Sequence, residues 1–281
     1  MYPQIKFSLN KLPRAKVRGI PAEKLVISSA RRVNSPSLRA EFISGLKKPR
    51  VFFRDNKDLD KWVGYRFLDH QRGGRDFGKS IIRIHPELSS VKNLFSKKEK
   101  QIVVGQYVDS FYEIHQNQLE KVRKKFEKDW ERVAQPFFKA VDKVFAYPWP
   151  KGLYVAYLSI FPCGPRFLEN KTFQVFYLAK EDASLRTAHE LLHFLFYDYF
   201  EKAFPEIRST DEKVWILSEV LNFLILDSPE FYAIFGASHP HPYPNHLSII
   251  ERLKPKWENR KDLNSFLRSS LGVIEKAMVI Q

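Results

Sequence analysis

Three features of the sequence predict an α+β fold. Apolar residues recur at helical spacing from residue 96 up to the YPWP segment at 147–150. Two runs with the composition of strands, LYVAYLSIF at 153–161 and TFQVFYLA at 172–179, follow that helix. The rest of the chain again shows helix patterns, and an order of long helix, strands and further helices is typical of α+β proteins.

The first 95 residues precede this pattern and differ from it in charge. Short strand-like runs (IKFSL, KLVIS, RVFF and SIIRI) alternate there with Pro, Gly and charged residues. Residues 1–100 hold 24 Lys and Arg but only 9 Asp and Glu, so this segment accounts for the whole net charge of +15. We therefore expect a basic N-terminal region of uncertain fold at 1–95, acting as a pro-region or as a recruitment module, and a second domain at 96–281.

Capping residues indicate where the helices of the second domain begin. Ser96 and Glu99 form a capping-box pattern at the start of the long helix, and Pro136 predicts a bend or a break within it. A second capping-box pattern at 209–212 precedes the apolar run VWILSEVLNFLIL at 214–226. We therefore expect a helix on that run, with shorter helices after it.

The sequence favours a cytoplasmic protein that does not enter a membrane. Its single cysteine, Cys163, excludes a disulfide within the chain, which fits a reducing compartment. The first residues carry charges and prolines where a signal peptide has an apolar run. The apolar run at 214–226 is short for a membrane span and has Glu219 at its middle. The oligomeric state cannot be read from these features.

One motif bears directly on chemistry. In TAHELLHFLFYDYF, residues 187–200, His189 and His193 are four positions apart and therefore lie on the same face of a helix, one turn from each other. Glu190 lies beside that face, where a general base would hold a metal-bound water. The alternative is a core helix that happens to contain two histidines. Burying these polar groups among so many apolar residues is costly without a partner, and a metal ion supplies one.

A hydrolytic zinc site needs a third protein ligand and leaves one position open for water. Glu219 is the best candidate, because it is the only charged residue within the apolar run at 214–226. Several other residues could take its place: His239, His241 and His246 in the loop after residue 236, and Asp211 and Glu212 at the helix start.

HELLH on one helix with a glutamate on the next, after a mixed sheet, resembles the gluzincin branch of the zincin metallopeptidases. The resemblance implies a zincin-like domain built from a long backing helix, a small sheet, the HExxH helix and the ligand-glutamate helix. It also implies one zinc ion per chain, bound by His189, His193 and Glu219, and a catalytic base at Glu190.

A second resemblance lies downstream. His246 and Arg252 keep the six-residue spacing of the His-Pro…Arg pattern of CaaX-processing and heat-shock metallopeptidases, although Leu247 replaces the proline. The resemblance implies that His246 and Arg252 stabilise the oxyanion of a tetrahedral intermediate.

Together these features predict a zinc metallopeptidase that hydrolyses peptide bonds of a peptide or protein substrate. The alternative is a basic nucleic-acid-binding protein on a catalytically inactive zincin scaffold, which would bind nucleic acid or another acidic partner through residues 1–100. That segment interleaves its basic residues with aromatic ones that could stack on bases: Phe52, Phe53, Trp62, Tyr65 and Phe67.

Overall fold

A computed structural model describes residues 47–179, 183–236 and 241–280. The fold is α+β, as the sequence predicts, with 67% of the described residues helical and a small mixed sheet. The strands are β1 (Val51–Asp55), β2 (Gln71–Arg72), β3 (Arg75–Asp76), β4 (Tyr154–Ser159), β5 (Arg166–Phe167) and β6 (Thr172–Phe176). The α-helices are α1 (Lys57–Phe67), α2 (Phe77–Ile84), α3 (Lys97–Phe145), α4 (Ala183–Ala203), α5 (Glu212–Leu226), α6 (Pro229–Phe235), α7 (Leu247–Glu258) and α8 (Leu263–Ile280).

Within the described ranges, the main sheet has four strands in the order β1-β4-β6-β5. β4 pairs in parallel with both β1 and β6, whereas the two-residue strand β5 runs antiparallel to β6. The two central strands are mostly buried, which explains why their sequences read as nearly continuous apolar runs. Both runs that the sequence marks as strands are therefore strands.

β1 belongs to the basic N-terminal region in sequence but to the main sheet in space. Val51 lies opposite Tyr154, a hundred residues further along the chain. Val63 and Ile81, which also precede residue 96, are fully buried in the same hydrophobic core as the helices that follow. The described part of the N-terminal region thus shares its sheet and core with residues 97–280.

α3 is the long helix that the sequence predicts. Ser96 and Glu99 form the expected capping box, with the Ser96 hydroxyl accepting from the Glu99 amide at 3.4 Å and the Glu99 carboxylate accepting from the Ser96 amide at 3.3 Å. The helix continues through Pro136 without the break considered above. The buried side chains of Phe137, Phe138 and neighbouring residues hold the turn that lacks the proline N–H donor.

Two local predictions are wrong. The strand-like run SIIRI at 80–84 lies in helix α2, whose N-cap Asp76 accepts a hydrogen bond from the Lys79 amide. A short apolar run does not by itself distinguish a strand from a buried helix, and here the N-cap residue Asp76 favours the helix. At the start of α5 the capping box is absent: Asp211 is the N-cap without a side-chain bond, and the Ser209 hydroxyl donates instead to Glu201. The runs IKFSL and KLVIS lie outside the described residues.

Among the described residues, no helix has both the length and the apolar composition that crossing a lipid bilayer requires.

Candidate metal centre

Helices α4 and α5 lie against each other and carry the residues of the HELLH motif and Glu219. Both helices are mostly buried, and several polar side chains, among them Glu190, His193 and Glu219, are held inside the protein with the apolar ones. The Asn222 amide of α5 donates to the backbone carbonyl of His189 at 3.0 Å and fixes one helix relative to the other. This packing brings Glu219 to the two histidines.

His189, His193 and Glu219 are placed to bind a metal ion. The two Nε2 atoms are 3.0 Å apart, His189 Nε2 is 3.2 Å from Glu219 Oε2, and His193 Nε2 is 3.4 Å from Glu219 Oε1. Ligand atoms that surround a zinc ion tetrahedrally at about 2.0–2.1 Å lie about 3.3 Å from each other. The distances among these nitrogen and oxygen atoms are therefore close to those around a bound cation.

The electrostatic surroundings also suit a cation. His193 is fully buried, and burial, reinforced by the charge of Arg166, lowers its pKa to about 3, so the imidazole is neutral at pH 7. Burial alone would raise the pKa of Glu219, but the charge of Arg166 and hydrogen bonding to the two histidines hold it well below its usual range. A neutral imidazole and an ionised carboxylate are the forms that bind metal.

Glu190 lies next to the three ligands and is only 9% exposed. Its Oε2 atom is buried and makes no hydrogen bond to any described residue. Burial raises the pKa of Glu190, although the neighbouring charges of His189 and Arg166 oppose that shift. A buried carboxylate with an unused acceptor and a raised pKa is suited to accepting a proton.

Arg166 is the residue of this site that sequence reasoning missed. It belongs to the short strand β5, and its Nη1 atom is 3.1 Å from Glu219 Oε1 and 3.8 Å from Glu190 Oε2. The only sequence signal is its position in the segment PCGPRF between two predicted strands, and a basic residue in such a segment is not specific for a functional site.

The ligands open onto a cleft of about 330 Å³, called here the metal-site cleft. It is bounded by the β2–β3 hairpin, the segment 162–166, β6, α4, α5 and the segment 241–246. His189, Glu190 and Glu219 all line it, so a molecule in the cleft would reach both the metal position and the base.

The structure separates the two residues of the second resemblance. His246 lines the metal-site cleft and is 3% exposed, between the rings of Trp215 and Tyr243. Burial lowers its pKa to about 4. Arg252 is exposed on α7 and is not among the residues that line the cleft, because α7 turns Ile249 and Leu253 toward the core instead.

Among the described residues, the others considered as third ligand do not join the three. His241 lines the cleft but is not part of the metal-ligand cluster, and His239 lies outside the described residues. Glu212 pairs with Arg72 at 2.6 Å, and Asp211 pairs with Arg208 at 3.2 Å.

The β2–β3 hairpin brings the N-terminal region into the site. Arg75 Nη2 donates to the backbone carbonyls of His241 and Pro242 at 2.6 and 2.9 Å. Gly74 has a φ of +82°, and a Cβ there would lie 2.6 Å from Asn245 Oδ1. The hairpin and the segment 241–246 therefore fit closely, and together they form the wall of the cleft that carries His246.

The aromatic residues invoked for nucleic-acid stacking are mostly used inside the protein. Phe53 and Phe67 are buried in the core, and Trp62 and Tyr65 pack against it. Phe52 is half-buried under the guanidinium group of Arg50, 4.9 Å from its ring centre.

The chain matches no known family profile, no curated protein and no solved structure.

Proposed function

We propose that this protein is a zinc-dependent metallopeptidase of the gluzincin type. The observation that carries the proposal is the spacing of the three ligand atoms, with a buried glutamate beside them at the floor of a cleft. Two imidazole nitrogens and one carboxylate are a donor set typical of catalytic zinc. The geometry supports a divalent cation, and the donor set is the reason to propose zinc.

His189, His193 and Glu219 would hold the ion, which when bound supplies a Lewis acid and lowers the pKa of a water molecule. Glu190 accepts the proton of the attacking water at Oε2, the atom without a hydrogen-bond partner among the described residues. The same carboxyl group then donates that proton to the leaving amine. His246 lines the cleft and would stabilise the oxyanion, whereas the exposed Arg252 is not among the lining residues.

A peptide is the substrate that best suits the shape of the cleft. Residues Gln174 to Phe176 of β6 form one wall, next to the two-residue strand β5. An extended peptide can lie along such a wall with its carbonyl group at the metal position.

The Glu190→Gln variant tests the proposal. We expect it to retain metal and to lose peptide hydrolysis by at least a hundredfold, because the amide cannot accept the proton. Glu201→Gln is the matched control, since Glu201 lies on the same helix but is exposed. Cleavage of a peptide library is followed by mass spectrometry. A Glu190→Gln protein that cleaves as fast as the wild type would show that Glu190 is not the base.

A further inference from the structure

Arg166 has hydrogen-bonding capacity that the described residues do not use. A guanidinium group carries five N–H donors. Only Nη1 of Arg166 contacts a partner among the described residues, namely Glu219 and, more distantly, Glu190. The side chain is 16% exposed and lines the metal-site cleft. Its remaining donors are thus available to a molecule bound there.

The charges of the cleft favour an anionic ligand. Three arginines line it: Arg75, Arg166 and Arg186. The acidic residues among its described lining are Glu190 and Glu219, which are the proposed base and a metal ligand. A bound divalent cation would make the cleft more positive still.

The three arginines are not equivalent. Arg75 is engaged by two backbone carbonyls and by the ring of Tyr243, 4.5 Å from its guanidinium carbon. Arg186 is exposed on α4, one turn before Glu190. Arg166 is the one that touches both carboxylates of the proposed catalytic site. Arg166 is therefore the arginine best placed to bind an anionic group beside the reacting bond.

The position of Arg166 limits which part of a substrate it can reach. Its Nη1 atom is 3.8 Å from the oxygen of Glu190 that would accept the proton. The other donors of the same planar guanidinium group are close to Nη1. A group that they bind therefore lies near the scissile bond.

We propose that Arg166 binds a substrate carboxylate next to the scissile bond, so that the protein acts on peptides with a negative charge at that place. A carboxylate matches the planar guanidinium group and can accept two parallel hydrogen bonds from it. The carboxylate is either the free C-terminus of the peptide, which would make the enzyme a carboxypeptidase, or an Asp or Glu side chain. The inference rests on the proposed function for its reaction, but its binding step can be measured alone.

Binding is measured by calorimetry on the Glu190→Gln protein at saturating zinc, with three N-acetylated peptides that are otherwise neutral. The first has a free carboxyl terminus, the second is its C-terminal amide, and the third is that amide with one Asp beside the central bond. We expect the first or the third to bind roughly tenfold or more tightly than the neutral amide. Which of them does so identifies the source of the carboxylate.

Arg166→Gln, added to Glu190→Gln, should abolish this preference, whereas Arg186→Gln should leave most of it, because Arg186 is exposed on α4. Arg166→Lys, which keeps the charge without the planar donor pair, should retain part of the preference and serves if the glutamine variant folds poorly. Zinc content is measured for every variant, since Arg166 also contacts the ligand Glu219. Equal binding of all three peptides, or a preference that persists in Arg166→Gln, would overturn the inference.

Hydrolysis by the wild-type protein is scored separately on the same three peptides. Cleavage without a carboxylate preference contradicts the role of Arg166 but is consistent with the proposed peptidase function. A carboxylate preference in binding without any cleavage supports the role of Arg166 and contradicts the peptidase.

Discussion

Asp60 offers a quantitative test of the described structure, because it joins the sheet to two helices beneath the metal-site cleft. Its carboxylate is completely buried. Oδ1 accepts hydrogen bonds from the Ser159 hydroxyl and the Gln174 amide, and Oδ2 accepts from the Tyr112 hydroxyl and the Ile160 backbone amide, all at 2.6–3.0 Å. Gln174 also lines the cleft, so this network supports the wall along which we place the substrate.

Asp60→Ala removes every acceptor at once. The two hydroxyls can turn to other partners, but the N–H groups of Ile160 and Gln174 stay buried, at about 1–3 kcal/mol for each donor left unpaired. We expect a loss of about 3–5 kcal/mol in the free energy of unfolding. For a chain of this size that corresponds to a fall in Tm of roughly 6–20 °C.

Asp60→Asn should lower the free energy of unfolding much less than Asp60→Ala does. Its amide oxygen can keep the bond from Ile160 if its NH₂ group takes the place of Oδ1. Gln174 can then turn its own amide and present Oε1, which is buried and has no hydrogen-bond partner within the described residues. The Ser159 hydroxyl can accept instead of donating. We therefore expect less than half of the loss seen with alanine at pH 7.

The pH dependence of stability gives the same test a second readout. Burial, only partly offset by the four hydrogen bonds, raises the pKa of Asp60 to about 6 in the folded protein, against about 3.9 in an unfolded chain. The folded state therefore binds the proton more tightly, and stability falls as pH rises from about 4 to about 6, by about 3 kcal/mol for this group. Asp60→Asn lacks this component.

The assay is urea unfolding of the full chain at pH 4, 5, 6 and 7, followed by circular dichroism. The difference in the free energy of unfolding between the wild type and Asp60→Asn at each pH isolates the contribution of Asp60 from that of the other titrating groups. If asparagine destabilises as much as alanine, or if the difference does not change with pH, then the carboxylate is not buried in the network described.

Two further predictions concern the site. Because burial raises the pKa of Glu190, the carboxylate becomes protonated, and hydrolysis is lost, at a higher pH than for an ordinary glutamate. The acid limb of the kcat/KM profile should therefore lie above pH 4.5 and be present in every variant that keeps Glu190. An acid limb below the usual glutamate range would contradict the buried base. Gly74→Ala places a Cβ at a φ of +82°, where an L side chain is strained, and 2.6 Å from Asn245 Oδ1. We therefore expect a loss of about 1–3 kcal/mol by thermal unfolding, and a neutral effect would contradict the backbone conformation of the hairpin at Gly74.

Local sequence patterns were sufficient to predict those features of the structure that depend on residues near each other in the chain. The capping box at Ser96 and the helical spacing after it predicted α3, and the four-residue spacing of His189 and His193 placed them on one helix face. Glu219 could be picked out because an isolated carboxylate within an apolar helix needs a partner. These residues are brought together as predicted.

Features that depend on distant parts of the chain could not be predicted. The pairing of β1 with β4 and the position of Arg166 both depend on how the sheet is assembled, which no local period encodes. Arg252 illustrates the limit of reading a spacing alone. Its spacing from His246 matched a known pattern, but α7 turns it to solvent, since spacing along a helix does not determine which face meets the site.

The most direct test of the metal centre is the metal content of the purified protein, measured by plasma mass spectrometry after incubation with zinc and removal of the excess. We expect about one zinc ion per chain in the wild type, lost or sharply reduced in His189→Ala and in Glu219→Ala. Glu212→Ala, at the exposed start of the same helix as Glu219, should keep its zinc. A wild-type protein without zinc, or ligand variants that retain it in full, would contradict a metal site formed by His189, His193 and Glu219.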